Sequence, residues 1–298
     1  MPTCLVTGGS GFTGRYLIAH LKHQGHRVVA LASEPCGADA YHAIALEDEQ
    51  ALNTLIQQEA PQHVYHLAAL SFVGHPKPLD FYRVNVLGTE TLLKALSALL
   101  TPPRVLLASS ANVYGANGQA TIDEHVPPAP VNHYAASKLA MEHIARTYAE
   151  RLPMLIARPF NYTGPGQAEH FLVPKIVRHI KQRATFIELG NTHVSRDFSD
   201  VRDVVAVYAQ LLADWPRQAT SGSILNIGSG EAVSLNTLIE KLQHIANHRL
   251  EIRVNPAFVR ANDIPELKAG TRRLDAWVPN RPRHTLDDTL TAMCESDV

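Results

Sequence analysis

The sequence predicts an α/β fold, a doubly wound parallel sheet of the Rossmann type with a smaller C-terminal lobe for the substrate. Short apolar runs alternate with helix-like segments through the first half of the 298 residues. Strands that are apolar on both faces are typical of a parallel sheet that helices cover on both sides, with right-handed crossovers. The first apolar run also leads directly into a glycine-rich turn and a helix, as in nucleotide-binding βαβ units.

The first half is expected to alternate strands and helices in a regular order. Apolar runs predict strands at residues 4–6, 28–31, 64–68, 105–108 and 153–158. Helical spacing of apolar residues predicts helices at 16–21, 51–58, 81–99 and 133–150. This order gives the parallel sheet its strands and supplies helices for both of its faces.

The second half has shorter and less regular segments, and prolines interrupt it. A strand at 224–227 is predicted to return to the sheet, and a helix at 234–246 follows it. We therefore predict a dinucleotide-binding domain at 1–160, with the strand near 223–228 returning to its sheet. Residues 161–298 are predicted to form mainly a substrate-binding lobe that is joined to the same sheet.

Composition narrows the class of protein. Hydrophobic residues make up 45% of the chain, charged residues 18%, and the net charge is -1, which is typical of globular proteins. Without a basic cluster or an apolar run of about 18 residues, we expect neither a nucleic-acid partner nor a membrane span. The three cysteines are far apart, which fits a reducing compartment and predicts no metal site. Because the first strand begins near residue 3, no signal peptide is expected and we predict a cytoplasmic protein.

The glycine-rich turn TGGSGFTG follows the first strand. Gly8, Gly11 and Gly14 allow the tight turn, the close approach of the backbone to a pyrophosphate, and close packing of the helix on the sheet. Phe12 and Thr13 begin that helix, whose free N–H groups face the anion. Strand, turn and helix together predict that these five residues bind a dinucleotide.

The choice between NAD and NADP depends on the end of the second strand. An NAD site usually carries Asp or Glu there for the adenosine ribose, but this chain has Ala32, Ser33 and Glu34. Ala32 takes the place of the expected acid, which leaves room for a 2′-phosphate beside Ser33. Arg15 either assists that phosphate or is a solvated helix residue, and both interpretations stay open. NADP is the cofactor that we expect, with NAD as the alternative.

A proton-transfer site is predicted from Ser110, Tyr134 and Lys138. Tyr134 and Lys138 are one helical turn apart, so both side chains share one face. A free phenol has a pKa near ~10, and an adjacent ammonium stabilises the phenolate and lowers that pKa. Lys138 could also reach the nicotinamide ribose, and Ser110 would hydrogen-bond the substrate oxygen. The spacing alone occurs in incidental surface pairs, but beside a nucleotide-binding turn it indicates a reductase or epimerase acting on a secondary alcohol or ketone.

These segments resemble the extended short-chain dehydrogenases/reductases of the nucleotide-sugar type over nearly the whole chain. TGGSGFTG, HLAA, NVLGT, SSANVYG and YAASK follow one another in the order of that family. The resemblance implies that Ser110, Tyr134 and Lys138 are the catalytic triad and that Asn85 orders the site near the nicotinamide. It also implies that Leu67, Ala68 and Ala69 line the cofactor and that Tyr134 and Lys138 contact it as well.

The second half resembles family members that handle GDP-mannose derivatives. RPFNYTGPGQ is similar to their RPFN-H-x-GPGQ segment, although Tyr162 stands where they usually carry histidine. The segments SRDFSD and RANDIP are similar to those whose arginines contact the diphosphate and the nucleotide. The resemblance therefore implies substrate binding by Asn161, Arg196 and Arg260, and two guanidinium groups match two phosphates well.

One position separates the reactions within this family. Family dehydratases carry a glutamate where this chain has Asn112, preceded by Ala111. Asparagine is not a base at neutral pH, so the sequence argues against elimination and leaves hydride transfer. The similarity is greatest to reductases of GDP-6-deoxy-4-keto-mannose, which form GDP-rhamnose or its talose epimer with NAD(P)H. An NAD-dependent 4-epimerase of UDP- or dTDP-sugars remains the alternative, and a non-catalytic NADP-binding protein is disfavoured because the Tyr–Lys pair is present.

The family also implies a homodimer. Its members pair two long helices, here 81–99 and 133–150, across a two-fold axis. Apolar positions on these helices are Val86, Leu92, Leu93, Leu96, Leu139, Ile144 and Tyr148. The alternative is that these side chains only face the sheet of their own subunit.

Overall fold

The fold is described from a computed structural model, for residues 1–116, 118–258 and 265–296. Its strands are β1 (Thr3–Thr7), β2 (Arg27–Leu31), β3 (Ala40–His42), β4 (His63–His66), β5 (Arg104–Ala108), β6 (Thr121–Ile122), β7 (Met154–Pro159), β8 (Asn161–Thr163), β9 (Phe186–Leu189), β10 (Ser195–Asp200), β11 (Ser223–Ile227), β12 (Ala232–Ser234), β13 (Glu251–Val254) and β14 (Glu266–Ala269). Its α-helices are α1 (Phe12–His23), α2 (Glu49–Glu59), α3 (Pro78–Tyr82), α4 (Thr89–Ser97), α5 (His133–Arg146), α6 (Leu172–Lys181), α7 (Val201–Ala213), α8 (Leu235–Ile245), α9 (Arg272–Trp277) and α10 (Leu286–Glu295).

The central sheet is parallel and doubly wound, which confirms the predicted fold class. Its strand order is β11-β7-β5-β4-β1-β2-β3, and each neighbouring pair runs parallel. Apolar residues of α1 and α7 pack on one face of this sheet, and those of α2, α4 and α5 pack on the other. The chain order reverses between β1 and β4, so a crevice opens at the carboxyl ends of these strands, where α/β sheets bind their ligands.

Two elements of the first half differ from their predicted extent. The helix expected at 81–99 is three joined pieces, because a π-helical stretch at Arg83–Gly88 separates α3 from α4. This stretch carries Asn85 inward, and π-helical insertions are frequent at functional sites. The helix expected at 133–150 ends at Arg146. Its start is fixed by Asn132, whose Oδ1 accepts the backbone N–H of Ala135 at 2.9 Å.

The second half is more regular than the sequence predicts. β10 joins β12, β14 and β6 in a second sheet and also pairs with β8. Helices α6, α8 and α10 bury their apolar faces together with β9. Helix α7, which the sequence analysis did not predict, packs against α1 beneath the central sheet. The division into domains at residue 160 stays a prediction, since β11 and α7 from the second half complete the layers of the first.

The structure corrects part of the predicted dimer face. Leu92, Leu93 and Leu96 are fully buried against the sheet of their own subunit, so they face inward rather than toward a partner. The other four positions, Val86, Leu139, Ile144 and Tyr148, are half-buried. Among the residues that the structure describes, no helix is long and apolar enough to cross a membrane.

Candidate active site

The glycine-rich turn lies against the end of β4. Gly8 has a φ of +72°, and a Cβ there would lie 2.9 Å from the backbone nitrogen of Ala68. At Gly14 a Cβ would lie 2.2 Å from the carbonyl oxygen of Gly8. Both positions therefore require glycine. The helix that follows is preceded by Gly11, which has no side chain to cap the first N–H groups. These groups remain suited to hold a pyrophosphate, so the residues present fit a dinucleotide.

A buried chain of hydrogen bonds connects this turn to the π-helical stretch. The backbone N–H of Ala68 donates to Thr7 Oγ1 at 3.1 Å, and Thr7 Oγ1 is 2.7 Å from His66 Nδ1. His66 Nε2 is 2.8 Å from Thr89 Oγ1, which donates to the Asn85 carbonyl oxygen at 2.8 Å. Burial, with a smaller contribution from the charge of Lys138, lowers the pKa of His66 to about 3. The imidazole is therefore neutral, with Nε2–H donating to Thr89 and Nδ1 accepting from Thr7.

Asn85 connects the cofactor side of the site to the catalytic helix. Its Oδ1 accepts the N–H of Leu70 at 2.9 Å, and its Nδ2 donates to the Leu70 carbonyl at 3.1 Å and to Ser137 Oγ at 3.0 Å. Ser137 Oγ in turn donates to the carbonyl oxygen of Tyr134 at 2.8 Å. The predicted ordering role of Asn85 thus has a concrete form, because one side chain holds the segment after β4 against α5. The participation of His66 and Thr89 was missed, although HLAA and NVLGT contain both residues.

The end of β2 is occupied by small polar groups and one ion pair. Ser33 Oγ is 3.2 Å from Ser10 Oγ, within the glycine-rich turn. Arg15 Nη2 lies 2.6 Å from Glu34 Oε1, and Arg15 Nε donates to the Ser10 carbonyl at 2.9 Å. Both partners of this ion pair are more than half exposed. Such a surface pair is worth at most about 1 kcal/mol, so Arg15 can exchange Glu34 for a phosphate at small cost.

The structure brings Ser110, Tyr134 and Asn112 together. Ser110 Oγ accepts two hydrogen bonds from Asn112, one from its backbone N–H at 3.2 Å and one from its Nδ2 at 3.1 Å. Ser110 also hydrogen-bonds the side chain of Tyr134. Since both lone pairs of the serine oxygen are used by Asn112, Ser110 is left with its proton to donate, to the tyrosine oxygen or to a substrate oxygen as predicted.

The pKa of Tyr134 moves opposite to the prediction from sequence. Burial raises it to about 12, a hydrogen bond with Ser110 opposes this rise, and the neighbouring Tyr162 adds to it. The spacing to Lys138 predicts a lowered pKa, but Lys138 is not among the groups that shift it, since its Nζ is turned to the Ala108 carbonyl and burial dominates. Tyr134 is therefore protonated at neutral pH, which is the state that a proton donor requires.

Lys138 is buried beside the tyrosine. Its Nζ donates to the carbonyl oxygen of Ala108, the last residue of β5, at 2.7 Å. Burial lowers the pKa of Lys138 to about 8, while the carboxylate of Glu142 opposes that shift. The ammonium is thus mostly charged at neutral pH but loses its proton under mildly alkaline conditions.

Two of the three predicted substrate residues lie on paired strands. β8 pairs with β10 with Asn161 opposite Phe198, which places Arg196 two residues before that point. Asn161 Nδ2 donates to the Asp197 carbonyl at 3.3 Å, and Arg196 Nη1 donates to the Ser195 carbonyl at 2.8 Å. Arg260 lies outside the described residues.

Tyr162, next to Asn161, joins β8 to the cofactor turn. Its hydroxyl is 2.8 Å from Thr13 Oγ1, and its ring stacks on that of Phe12 with centroids 6.3 Å apart. Thr13 and Phe12 are both predicted cofactor residues. The residue at which this chain departs from the usual histidine is therefore a direct contact between the two parts of the site.

Known proteins are similar to this chain over most of its length. Residues 4–228 match the model of the NAD dependent epimerase/dehydratase family. A GDP-6-deoxy-D-talose 4-dehydrogenase of Aggregatibacter actinomycetemcomitans is 36% identical, covering 94% of this chain and 92% of the relative. A GDP-6-deoxy-D-mannose reductase of Pseudomonas aeruginosa is 35% identical, covering 97% and 94%. A UDP-glucose 4-epimerase of Halalkalibacterium halodurans is 28% identical, covering 93% and 91%.

Solved structures resemble the chain over its full length. A protein of Burkholderia cenocepacia superposes with a TM-score of 0.92 at 41% identity, covering 99% of this chain and 97% of the other. The Pseudomonas aeruginosa protein RMD, solved with NADPH, superposes with a TM-score of 0.86 at 33% identity, covering 99% and 96%.

Proposed function

The chain belongs to the NAD dependent epimerase/dehydratase family, and within it we propose that the protein reduces the 4-keto group of a GDP-linked 6-deoxy-4-ketohexose with NADPH. The product is a GDP-6-deoxyhexose such as GDP-rhamnose. The observation that carries this proposal is the hydrogen-bond chain from Asn112 through Ser110 to a protonated Tyr134. This chain delivers a proton to a reacting oxygen and contains no base that could remove one from carbon.

Each residue of the site has a defined task in the proposed reduction. Tyr134 donates its proton to the carbonyl oxygen as that oxygen gains negative charge, and Ser110 holds the phenol oxygen with its own proton. Lys138 places a positive charge beside Tyr134 and stabilises the phenolate that proton donation leaves. The reduced nicotinamide, when bound, supplies the hydride. Asn85 fixes α5 relative to the segment after β4, so that the proton donor and the cofactor pocket keep a constant separation.

Elimination is disfavoured by the position of Asn112. A dehydratase of this family needs a carboxylate there to remove a proton next to the ketone. The amide of Asn112 instead donates to Ser110 at 3.1 Å. An amide is not a base at neutral pH, and this one is already used as a donor. Net reduction or epimerisation therefore remains, since each transfers hydride at one carbon without a carboxylate at this position.

The choice of GDP and NADPH is supported by the comparisons and by the end of β2. The Aggregatibacter and Pseudomonas relatives are named for GDP-6-deoxyhexoses, and the Pseudomonas structure holds NADPH. At the end of β2, Ala32 replaces the acid expected for NAD, and Arg15 is held there by a weak, exposed ion pair. Asn161, Arg196 and Arg260 are proposed to bind the substrate, with Arg196 at its diphosphate and Arg260 at its nucleotide.

The decisive experiment supplies the purified protein with GDP-6-deoxy-4-keto-mannose and reduced cofactor. One mole of NADPH should be oxidised per mole of sugar, with NADH used less efficiently, and NMR should identify a GDP-6-deoxyhexose. The Tyr134→Phe variant serves as the matched control. Redox-neutral interconversion of a UDP- or dTDP-hexose, without NADPH oxidation on the GDP-ketosugar, would instead identify a 4-epimerase.

We also propose that the protein is a homodimer that pairs the helices near 81–99 and 133–150. Leu87, in the π-helical stretch, is 54% exposed, and Ile144 on α5 is half-buried. When a second copy covers exposed apolar side chains, the burial of their surface favours association of the two subunits. Light scattering should give the mass of a dimer, and Leu87→Glu should shift it toward the monomer. The matched change Leu100→Glu, beyond α4, should leave the mass unchanged.

A further inference from the structure

Helix α5 contacts the end of β5 along three successive turns. Tyr134 hydrogen-bonds Ser110, Lys138 Nζ donates to the Ala108 carbonyl at 2.7 Å, and Glu142 Oε1 accepts the Ser109 hydroxyl at 2.5 Å. The three helix residues are four apart, so they share one face. Three consecutive residues of the strand end are thereby held by three groups of the helix. The proposed reaction uses the first two groups and leaves Glu142 without a role.

Glu142 is the centre of a buried charge cluster. Its side chain is 0% exposed and that of Arg158 on β7 is 2% exposed. Arg158 Nε donates to Glu142 Oε1 at 2.9 Å and Arg158 Nη2 to Oε2 at 2.6 Å. The guanidinium carbon lies 4.7 Å from the ring centre of Tyr114, in the 3-10 turn that follows Ser110. The Glu142–Arg158 pair thus contacts both parts of the chain that carry the triad, helix α5 and the segment that follows β5.

Stability alone gives a poor account of this cluster. Removing two charges from water costs several kcal/mol for each ion, and well-packed apolar side chains of similar volume are often equally stabilising. The cluster also holds three charged groups, two positive and one negative, because Lys138 lies one turn before Glu142. The guanidinium is charged in any case, so Lys138, one helical turn from Glu142, is the cation whose charged form depends on the carboxylate.

We propose that Glu142 is a positioning residue that keeps Lys138 charged and fixes the strand end carrying Ser110. The role rests on the proposed reaction, since it assigns Glu142 to the charge and geometry of the same site. The carboxylate acts through Lys138 by electrostatics and through Ser109 by a hydrogen bond, and Arg158 holds it in place for both. Glu142 itself does not touch the reacting atoms.

Other groups around Lys138 do not supply this charge. The titratable and charged side chains of the buried cluster are Tyr134 and Glu142 on α5, His66 on β4, Arg158 on β7 and Tyr114 after β5. Tyr134 and His66 are neutral at pH 7, and Arg158 is a cation. On the other elements packed on α5, the exposed Arg83 is paired with Asp80 and Glu47, and the exposed Lys94 with Glu49, so these carboxylates already have partners. Among the described residues, Glu142 is thus the anion that stabilises the charge of Lys138.

The test separates charge from geometry with two variants. Glu142→Gln keeps the shape and an oxygen for Ser109 but removes the charge, whereas Ser109→Ala keeps the charge and removes the anchor. An opposite charge at close range shifts a pKa by about 1–3 units, so Glu142→Gln should lower the pKa of Lys138 by at least ~1 unit. At pH 8 this lowers kcat ~5-fold, with KM for the ketosugar changed less than ~2-fold. Ser109→Ala should lower kcat without moving the pH profile.

The pKa of Lys138 is also measured without turnover, by NMR of protein labelled at lysine Cε, with Lys138→Met assigning the signal. Because this measurement needs no turnover, it tests the role of Glu142 even if the protein does not catalyse the proposed reduction. If Glu142→Gln does not fold, Arg158→Gln is the second charge variant: it leaves the Glu142 carboxylate without its cationic partner, so the pKa of Lys138 should rise. An unchanged pKa and pH profile in either charge variant, with only the melting temperature lowered, would overturn the inference and leave Glu142 a structural residue.

Discussion

The titration of Lys138 gives a prediction in which activity and stability change in opposite directions. Burial lowers the pKa of this lysine from 10.5 to about 8. At pH 9 about a tenth of the protein then keeps the charge, whereas an ordinary lysine would still be more than about nine-tenths charged. Reduction should therefore reach a plateau near neutral pH and fall about tenfold for each unit above pH 8. Tyr134, with a pKa of about 12, stays protonated throughout this range.

Stability follows the opposite sign. The folded protein binds fewer protons than the unfolded chain between pH 8 and 10.5, because the pKa of Lys138 is lowered only in the folded state. Below pH 8 the buried charge of Lys138 lowers the free energy of unfolding by its full amount. This destabilisation disappears as the pH rises toward 10.5. A shift of this size corresponds to about 3 kcal/mol. Lys138→Met removes this titration. Between pH 8 and 10.5, the free energy of unfolding of the wild type should therefore rise by up to about 3 kcal/mol relative to that of the variant.

Two measurements check this account. kcat is followed by oxidation of NADPH at saturating ketosugar from pH 6 to 10, with NADPH affinity measured by fluorescence over the same range. Unfolding free energies of wild type and Lys138→Met are obtained in urea at the same pH values, so that titrations common to both proteins cancel. A rate that stays constant up to pH 10, or a stability difference that does not change with pH, would refute the assignment of a lowered pKa to Lys138.

Further variants test the other parts of the site. Tyr134→Phe should lower kcat by ~10²–10⁴ while NADPH still binds, because only proton donation is removed; turnover at the wild-type rate would exclude Tyr134 as the donor. Arg196→Ala should raise KM for the GDP-sugar and leave NADPH affinity within ~2-fold, since a charge-assisted contact is lost; equal loss of both affinities would indicate a structural role. Tyr162→Phe should weaken NADPH binding several-fold through the lost contact with Thr13, whereas Tyr16→Phe, which loses only a bond to the Pro165 carbonyl, should leave it unchanged. Incubation with GDP-mannose and NADP should give no 4-keto-6-deoxy product, and its formation would contradict the assignment of Asn112.

Most of the sheet was predictable because its strands are buried on both faces. β1, β2, β4, β5 and β7 are short apolar runs between helices, and such runs are readable without tertiary information. Helix α7 was missed, although it carries a local signal. Asp200 Oδ1 accepts the N–H of Arg202 at 2.7 Å and caps a long apolar run. An acidic residue directly before such a run could have identified the helix.

The catalytic residues were predictable, but their protonation states were not. Tyr134 and Lys138 are one turn apart, so their proximity follows from local geometry. The pKa of each depends on burial, which is set by elements distant in sequence, and burial reverses the expected direction for Tyr134. The contact between Thr13 and Tyr162 joins residues 149 positions apart. No pattern within a single segment contains that information.

Asn112 does more than remove a base from the site. A carboxylate at this position would accept a hydrogen bond from Ser110 and draw its proton away from Tyr134. The amide of Asn112 donates instead, so the lone pairs of Ser110 are filled and its proton is left to be donated to the phenol or to the substrate oxygen. In the proposed reaction, Asn112, Ser110 and Tyr134 can then all act as donors toward the substrate oxygen, where negative charge develops during reduction. The single position that argues against elimination thus also orients the residues that reduction requires.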